Sequence, residues 1–421
     1  MLNKKREGEL IMDESRLKKY AELLVKAGGN VQKGQLVIIS CAADDAYFGR
    51  LVQDAAYDAG AEEVRIDWSD DVVSRTTFLK AADRIFDDFP KWRVEKFKEQ
   101  DERGAVYLAI LSQDPDMLKG VDPNRLMRFT KVSRESTKDH TTRMMSGANR
   151  WSLVAVPSPK WAKKVFPSLE EKEAIGKLWE LILKAARADG DDPIADWARH
   201  KANFVKNVDY LNGKQFDALR FKNSLGTDFS MGLVKNHVWV GGGDVGQDGV
   251  AFFPNIPTEE IFTMPDKNRC DGRVVASMPL SYQGNLIEGF EFTFKDGKVV
   301  EYSAKTGEEH LKTIMDMDEG ARRLGEVALV SNSSPIGQMN TLFYNTLYDE
   351  NASSHLALGK AYPNNLEGGD KLSPEDFAKA GGNDSLIHVD FMFGTSDMCV
   401  YGIDKDGNET LFIKDGEFDI N

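Results

Sequence analysis

The segment Ser385-Leu-Ile-His-Val-Asp-Phe-Met-Phe-Gly394 places a histidine and an aspartate inside an apolar run that favours a β-strand. Successive side chains of a strand point to opposite faces, so His388 and Asp390 are expected on one face together with Leu386 and Met392. An imidazole and a carboxylate side by side are two ligands for a divalent cation. The alternative is a buried histidine-aspartate hydrogen bond that only stabilises the strand.

The composition is that of an ordinary globular protein. The chain has 421 residues, of which 41% are hydrophobic and 29% charged, so its length allows two or three domains. The net charge of −14 opposes binding to polyanions, and we expect no nucleic-acid partner. No apolar run approaches the ~18 residues that span a bilayer, and Met1–Gly8 is not followed by the apolar segment of a secretory signal. We therefore expect no membrane partner and a cytoplasmic location.

Three cysteines, Cys41, Cys270 and Cys399, are widely spaced and odd in number. This spacing argues against a disulfide framework and against a Cys-x-x-Cys metal site. We interpret them as small buried hydrophobic residues.

The first half of the chain alternates predicted helices with predicted strands. Helices are predicted over residues 14–27, 45–59, 169–188 and 196–210, and strands over residues 35–40, 63–68, 105–111 and 151–156. Residues 125–144 are polar and helix-forming, and Ser168-Leu-Glu-Glu171 is typical of a capping box. This alternation predicts an α/β domain with a mostly parallel sheet and covering helices.

The second half has a different character. From Phe216 the chain contains short alternating runs with many glycines, and Thr227–Leu233 and His237–Val240 are predicted antiparallel strands. We place the boundary near residue 205, which gives an N-terminal α/β domain (1–205) and a β-rich α+β metal-binding domain (206–421). Gly241-Gly-Gly-Asp-Val-Gly246 satisfies a dinucleotide-binding pattern, but no helix is predicted after it, so we interpret it as a loop.

Carboxylates recur in the second half. Glu259 and Glu260 follow Pro257 and Thr258, an arrangement that could simply begin a helix with Thr258 as its cap. Glu326 begins a probable buried strand, where an acid is costly unless it is paired or metal-bound. The segment Tyr348–Tyr362 adds further polar candidates. They are Glu350, His355 and Tyr362.

Together, five of these residues provide two imidazoles and three carboxylates. They are Glu260, Glu326, His355, His388 and Asp390. Such a set suits two divalent ions that share a bridging carboxylate and a water molecule.

Three separated motifs resemble those of the aminopeptidase T and aminopeptidase S family of metallopeptidases. The motifs are Asn255-Ile-Pro-Thr-Glu-Glu-Ile-Phe-Thr263, Asp349-Glu-Asn-Ala-Ser-Ser-His-Leu-Ala-Leu-Gly-Lys-Ala-Tyr362 and His388-Val-Asp-Phe-Met-Phe-Gly394. The resemblance covers nearly the whole chain from Met12, while residues 1–11 fall outside it, so Met12 is a candidate start.

The resemblance implies the same five metal ligands and an active-site role for Tyr362. It also implies a homodimer with active sites facing an enclosed cavity, and zinc or cobalt as the usual metal, with manganese a further candidate.

The expected reaction is removal of N-terminal residues from unblocked peptides by water activated at two metal ions. A carboxylate must move a proton to the leaving amine, and the sequence leaves Glu259 and Glu350 open for this role. Tyr362 could donate a hydrogen bond to the developing oxyanion, or it could only pack beside Pro363. The alternatives are a two-metal amidase and a non-catalytic peptide-binding protein with a structural metal site.

Overall fold

A computed structural model describes residues 12–112, 114–282 and 284–420. The chain forms two compact units. The first contains the described residues up to Arg199 together with Gly243–Pro257, and the second contains His200–Gly242 and the described residues from Thr258 onward. The predicted functional division at residue 205 stays a prediction. The segment Met1–Gly8 and the rest of residues 1–11 lie outside the described residues, so the expectations about a signal and about the start are not addressed.

The helices are α1 (Glu14–Leu23), α2 (Ala46–Asp58), α3 (Asp71–Lys80), α4 (Lys91–Glu102), α5 (Pro123–Ser136), α6 (Lys138–Met145), α7 (Pro159–Val165), α8 (Glu171–Ala185), α9 (Pro193–Lys214), α10 (Glu308–Met315), α11 (Pro335–Gln338), α12 (Thr346–Asp349) and α13 (Pro374–Lys379). The strands are β1 (Leu36–Ala42), β2 (Glu63–Ser69), β3 (Val106–Leu111), β4 (Trp151–Ala155), β5 (Ala218–Lys222), β6 (Asp228–Leu233), β7 (Val240–Gly241), β8 (Asp244–Val245), β9 (Ala251–Phe252), β10 (Glu260–Thr263), β11 (Pro265–Val275), β12 (Leu280–Tyr282), β13 (Asn285–Ile287), β14 (Glu291–Lys295), β15 (Lys298–Ser303), β16 (Leu324–Val330), β17 (His355–Gly359), β18 (His388–Met392), β19 (Cys399–Ile403), β20 (Glu409–Lys414) and β21 (Glu417–Phe418).

In the first unit, strands β1 to β4 form one sheet in the order β2-β1-β3-β4, and all of its pairings are parallel. Val37 and Ile38 of the central strand β1 point to opposite faces and are both buried, as expected for a strand covered on both faces. The predicted α/β fold with a mostly parallel sheet is therefore confirmed.

Two local predictions in the first unit are wrong in detail. Helix α8 begins at Glu171 with Glu170 before it, so Ser168 is not its cap. The reason is a turn in which the Leu169 N–H donates to the Phe166 carbonyl at 3.3 Å, with Pro167 in a position that favours turns. Helix α9 begins at Pro193 rather than Asp196, because proline is well tolerated in the first helical turn.

The second unit contains two large antiparallel sheets. The larger has the order β15-β14-β11-β6-β5-β19-β20-β21, and the smaller has the order β18-β17-β16-β10-β7. The antiparallel prediction for Thr227–Leu233 is confirmed by β6. The strand predicted over His237–Val240 is wrong in extent, because β7 begins only at Val240 and the His237 N–H donates to the Val234 carbonyl in a turn.

An aromatic core lies between these two sheets. The ring of Phe391 on β18 is 5.0 Å from that of Phe292 on β14, and Val389 belongs to the same buried cluster. Because side chains alternate along a strand, His388 and Asp390 lie on the opposite face of β18. The core packing of the small sheet thus fixes which face carries the polar residues.

The motif Gly241–Gly246 contains the short strand β8, and the segment after it contains the short strand β9 and not a helix. Among the helices of the described ranges, none is both long and apolar enough to cross a membrane.

Candidate metal centre

The predicted ligands come together on four neighbouring strands of the small sheet, which lie in the order β18-β17-β16-β10. Each strand contributes a residue. The predicted ligands are Glu260 at the start of β10, Glu326 on β16, His355 at the start of β17, and His388 and Asp390 on β18. The expectation that Glu259 and Glu260 could begin a helix with Thr258 as its cap is wrong, because Glu260 pairs with Val330 across an antiparallel ladder.

Strand register explains how Asp390 and Glu326 approach each other. Asp390 pairs with Ala357 of β17, and Ala357 pairs with Glu326 of β16, so the three residues form one row across the sheet. Cross-strand partners share a face, and only a methyl group separates the two carboxylates in this row. Because Ala357 has only a methyl side chain, the space on this face of the sheet is left to the carboxylates of Glu326 and Asp390.

A bulge adjusts the position of Glu326. The register between β16 and β17 shifts between Leu324 and Glu326, which makes Gly325 the additional residue. A Cβ atom at Gly325 would lie 2.3 Å from the Lys360 carbonyl oxygen, so the bulge requires glycine. Bulges commonly re-aim a side chain beside an active site.

The ligand atoms form two overlapping groups. In the first, the Nε2 atom of His355 lies 3.0 Å from Oε2 of Glu260 and 3.7 Å from Oε1 of Glu326. In the second, the Nε2 atom of His388 lies 3.6 Å from Oε2 of Glu326 and 3.3 Å from Oδ1 of Asp390. The donor atoms of each group lie within 4.8 Å of one another, and Glu326 belongs to both.

Both histidines are oriented through their other ring nitrogen. The Nδ1 atom of His355 lies 3.2 Å from the Ser353 carbonyl oxygen, and the Nδ1 atom of His388 lies 2.7 Å from the Lys360 carbonyl oxygen. A carbonyl oxygen can only accept, so Nδ1 carries the proton in each hydrogen bond. With Nδ1 engaged in this way, Nε2 is the ring nitrogen that faces the carboxylates and that remains to bind a metal.

The hydrogen bonding of the cluster fits a bound cation. Nε2 of His355 and Oε2 of Glu260 are buried, and neither has a hydrogen-bond partner. Buried polar atoms are nearly always satisfied, so two such atoms facing each other suggest a missing positive centre. The oxygen and imidazole donors match the ligand preferences of zinc and of related divalent metals.

Negative charge is concentrated at the same place. Burial, followed by the charges of Glu260 and Asp390, raises the pKa of Glu350 well above its usual range. Burial opposes the charged form of His388, but Asp390 and Glu326 outweigh it and raise the pKa to about 9. A divalent cation would offset this charge.

Tyr362 lies beside the second ligand group. Its ring centroid is 4.8 Å from that of His388. Burial, and then the charges of Glu326 and Asp390, raise the pKa of the Tyr362 hydroxyl, which therefore stays protonated over the physiological pH range. The hydroxyl therefore keeps a proton that it can donate in a hydrogen bond.

The two carboxylates that the sequence left open occupy different surroundings. Glu350 lines a cavity together with His388 and Asp390. The Glu259 carboxylate lies 3.8 Å from Nε2 of His200, and the Glu259 N–H donates to Oδ1 of Asn351 at 2.7 Å. Glu259 is not among the residues that line the cavity.

Sequence reasoning missed the other walls of this cavity, which come from residues 279–282 and 344–346. Neither segment carries a pattern that separates it from an ordinary loop or hairpin. The only local signal is the Tyr344-Asn345 pair ahead of a short helix, where Asn345 caps α12.

The chain is similar to known proteins over nearly its whole length. Residues 13–418 match the family described as Thermophilic metalloprotease (M29). The chain is 46% identical over 405 residues to Aminopeptidase 2 of Geobacillus stearothermophilus, covering 96% of this chain and 98% of that protein. It is 41% identical over 402 residues to Aminopeptidase T of Thermus thermophilus, covering 96% of this chain and 98% of that protein.

A solved structure, wild-type AmpT from Thermus thermophilus, matches with a TM-score of 0.90 and 40% identity. The match covers 96% of this chain and 99% of that chain. Fold and site thus define a metal-dependent hydrolase. The chain belongs to the M29 family of thermophilic metalloproteases, whose matched relatives are aminopeptidases. The resemblance noted in the sequence and the prediction of a metallo-aminopeptidase are confirmed at this level.

Proposed function

We propose that the protein removes the N-terminal residue from unblocked peptides and that its site holds two divalent metal ions. The observation that carries the proposal is the position of Glu326, whose Oε1 faces His355 while Oε2 faces His388. One carboxylate oxygen directed at each histidine group is the arrangement of a bridging ligand.

The residues would be divided between two positions. Glu260, Glu326 and His355 would hold one ion, and Glu326, His388 and Asp390 would hold the other. When bound, two such ions generate a hydroxide-like nucleophile near neutral pH and polarise the scissile carbonyl. Zinc, cobalt and manganese are the candidates, because the set mixes imidazole with carboxylates.

The chain supplies the proton transfer. In peptide hydrolysis the water oxygen bonds to the carbonyl carbon, the C–N bond breaks, and a proton reaches the leaving amine. Glu350 is the proposed proton carrier, because it lines the cavity beside His388 and its raised pKa suits a group that accepts and then releases a proton. Glu259 faces His200 and is proposed to position the start of β10.

Tyr362 is proposed to stabilise the oxyanion. Its protonated hydroxyl, placed beside His388, can donate to the oxygen that becomes negative in the transition state. Recognition of the substrate amine is proposed to use the cluster as well, since a carboxylate can pair with an ammonium group.

Turnover of aminoacyl amides tests this proposal. Release of the free amino acid from leucine amide by metal-loaded protein, and none by the chelated protein, is the expected result. Binding without turnover would favour the peptide-binding alternative, and equal hydrolysis of simple amides that lack an α-amino group would favour a two-metal amidase. A homodimer and a cytoplasmic location remain part of the proposal.

A further inference from the structure

A cavity of about 240 Å³ opens beside the second ligand group. One side is formed by His388, Asp390 and Met392, which alternate along one face of β18. The rest of the lining comes mainly from residues 279–282 and 344–346, together with Asp349 and Glu350. Its other lining residues are Pro279, Leu280, Ser281, Tyr282, Tyr344, Asn345, Thr346, Asp349, Glu350 and Val389.

We propose that this cavity binds the side chain of the substrate's N-terminal residue and selects large apolar side chains over acidic ones. The inference rests on the proposed function and adds the substrate class to it. Because the ligand residues form one end of the cavity, a peptide held with its first carbonyl at the cluster would direct its first side chain along β18 toward Met392.

The size of the cavity supports a single side chain as its occupant. Small-molecule pockets usually enclose ~300–1,000 Å³, so a cavity of about 240 Å³ has room for one residue's side chain and not for a longer segment. Leu280, Tyr282, Tyr344 and Met392 provide apolar and aromatic surface. Methionine adapts its shape readily, which suits several apolar side chains of different form.

The charge of the lining excludes acidic side chains. Among the described residues that line the cavity there is no lysine or arginine, whereas Asp349, Glu350 and Asp390 are carboxylates. An aspartate or glutamate side chain placed there would be partly buried without a cationic partner, which costs free energy. Discrimination against acidic N-terminal residues follows.

Asp349 keeps the Tyr344 wall in place. Its Oδ1 accepts from the Phe343 N–H at 2.7 Å, and its Oδ2 accepts from the Asn345 N–H at 3.0 Å. Between them Tyr344 has a φ of +56°, a left-handed conformation that is unfavourable for an aromatic residue. The buried carboxylate of Asp349 thus stabilises the left-handed conformation of Tyr344.

The test compares kcat/KM for leucine, alanine and glutamate p-nitroanilides in metal-loaded protein. We expect the wild type to prefer leucine over glutamate by about 100-fold or more. The variant Ser281→Arg places a cation on the lining of the cavity and should raise the glutamate-to-leucine ratio by about 10- to 100-fold. Asn285→Arg is the matched control, because it lies on the paired strand β13 outside the lining and should leave the ratio unchanged.

A second variant tests the same cavity in case Ser281→Arg does not fold. Tyr344→Ala removes apolar contact and should lower the leucine-to-alanine ratio by about 10-fold. Calorimetric binding of free L-leucine and L-glutamate gives a readout independent of turnover, and L-leucine should bind more tightly to the wild type. If both variants turn over substrate with wild-type ratios between leucine, alanine and glutamate, the assignment of the cavity is wrong and the proposed function still stands. Absence of turnover with every unblocked substrate would overturn the proposed function, and the pocket assignment with it.

Discussion

The Nε2 atom of His355 and the Oε2 atom of Glu260 lie 3.0 Å apart, and neither has a hydrogen-bond partner. Both are buried, and the imidazole is held by its Nδ1 hydrogen bond to the Ser353 carbonyl. Leaving a buried donor or acceptor unsatisfied costs about 1–3 kcal/mol. A cation between such groups removes this cost.

Removal of metal should abolish activity. The ligand atoms carry excess negative charge, which the bound ions would neutralise. Chelation therefore removes both the catalytic ions and this neutralisation. Dialysis against a chelator should stop the hydrolysis of leucine amide, and zinc, cobalt or manganese should restore it. Elemental analysis measures the metal content in parallel. Full turnover by protein shown to be metal-free would show that activity does not depend on metal.

Replacing a ligand should differ from replacing its neighbour. His388→Ala should lose metal and activity together, because it removes a donor to the second ion. Tyr362→Phe should keep the metal and lose kcat by about 10²- to 10³-fold, because only an oxyanion donor is removed. Metal analysis and kinetics on the same preparations separate the two effects. Wild-type turnover in Tyr362→Phe would leave the tyrosine with a packing role.

The two open carboxylates can be distinguished by substitution with glutamine. Glu350→Gln should retain metal and lower kcat by about 10²- to 10⁴-fold, since proton transfer is lost. Glu259→Gln, the matched control, should have the smaller effect because that carboxylate faces His200. The reverse order of effects would assign proton transfer to Glu259.

Acetylation of the substrate should block cleavage. An acetamide nitrogen is neither basic nor cationic, so it can neither bind a metal nor pair with a carboxylate. Mass spectrometry of matched free and N-acetylated peptides over time should show stepwise N-terminal release from the free peptide only. Internal cleavage of the acetylated peptide would instead identify an endopeptidase.

Asp45 should make stability depend on pH. Burial, opposed by a hydrogen bond from Ser112, raises the pKa of Asp45 to about 6, above its ordinary value of 3.8. A raised carboxyl pKa means that the folded state holds its proton to higher pH. This contribution to stability is therefore fully present below about pH 4 and is lost as pH rises through about 6.

Asp45→Asn removes that titration. Its free energy of unfolding, relative to wild type, should rise by on the order of 2 kcal/mol between pH 4 and pH 7. Urea unfolding of both proteins at several pH values measures the difference. A difference independent of pH would show that folding does not raise the pKa of Asp45.

The sequence identified the polar face of β18 because alternation is a local property. Val389 and Phe391 enter the core, so His388 and Asp390 must lie on the other face. The same logic failed at Glu260, where a proline and a threonine are compatible with a helix start but pairing with β16 produces a strand. Pairing partners distant in the chain cannot be read from local periodicity.

The site itself required non-local information. The bulge at Gly325 sets the position of Glu326 through contacts with residues 359 and 360, which no local pattern reveals. The left-handed conformation of Tyr344 depends on the carboxylate of Asp349. The ligand types could thus be listed from the sequence, whereas their grouping around Glu326 and the adjoining cavity could not.

Glu326 is proposed to bridge two metal ions. Anomalous diffraction from crystals of the zinc-loaded protein, collected above and below the zinc edge, counts and locates the ions directly. We predict two peaks per chain, one contacted by Glu260 and His355, the other by His388 and Asp390, and both by Glu326. A single peak, or two peaks that do not share Glu326, would contradict the account.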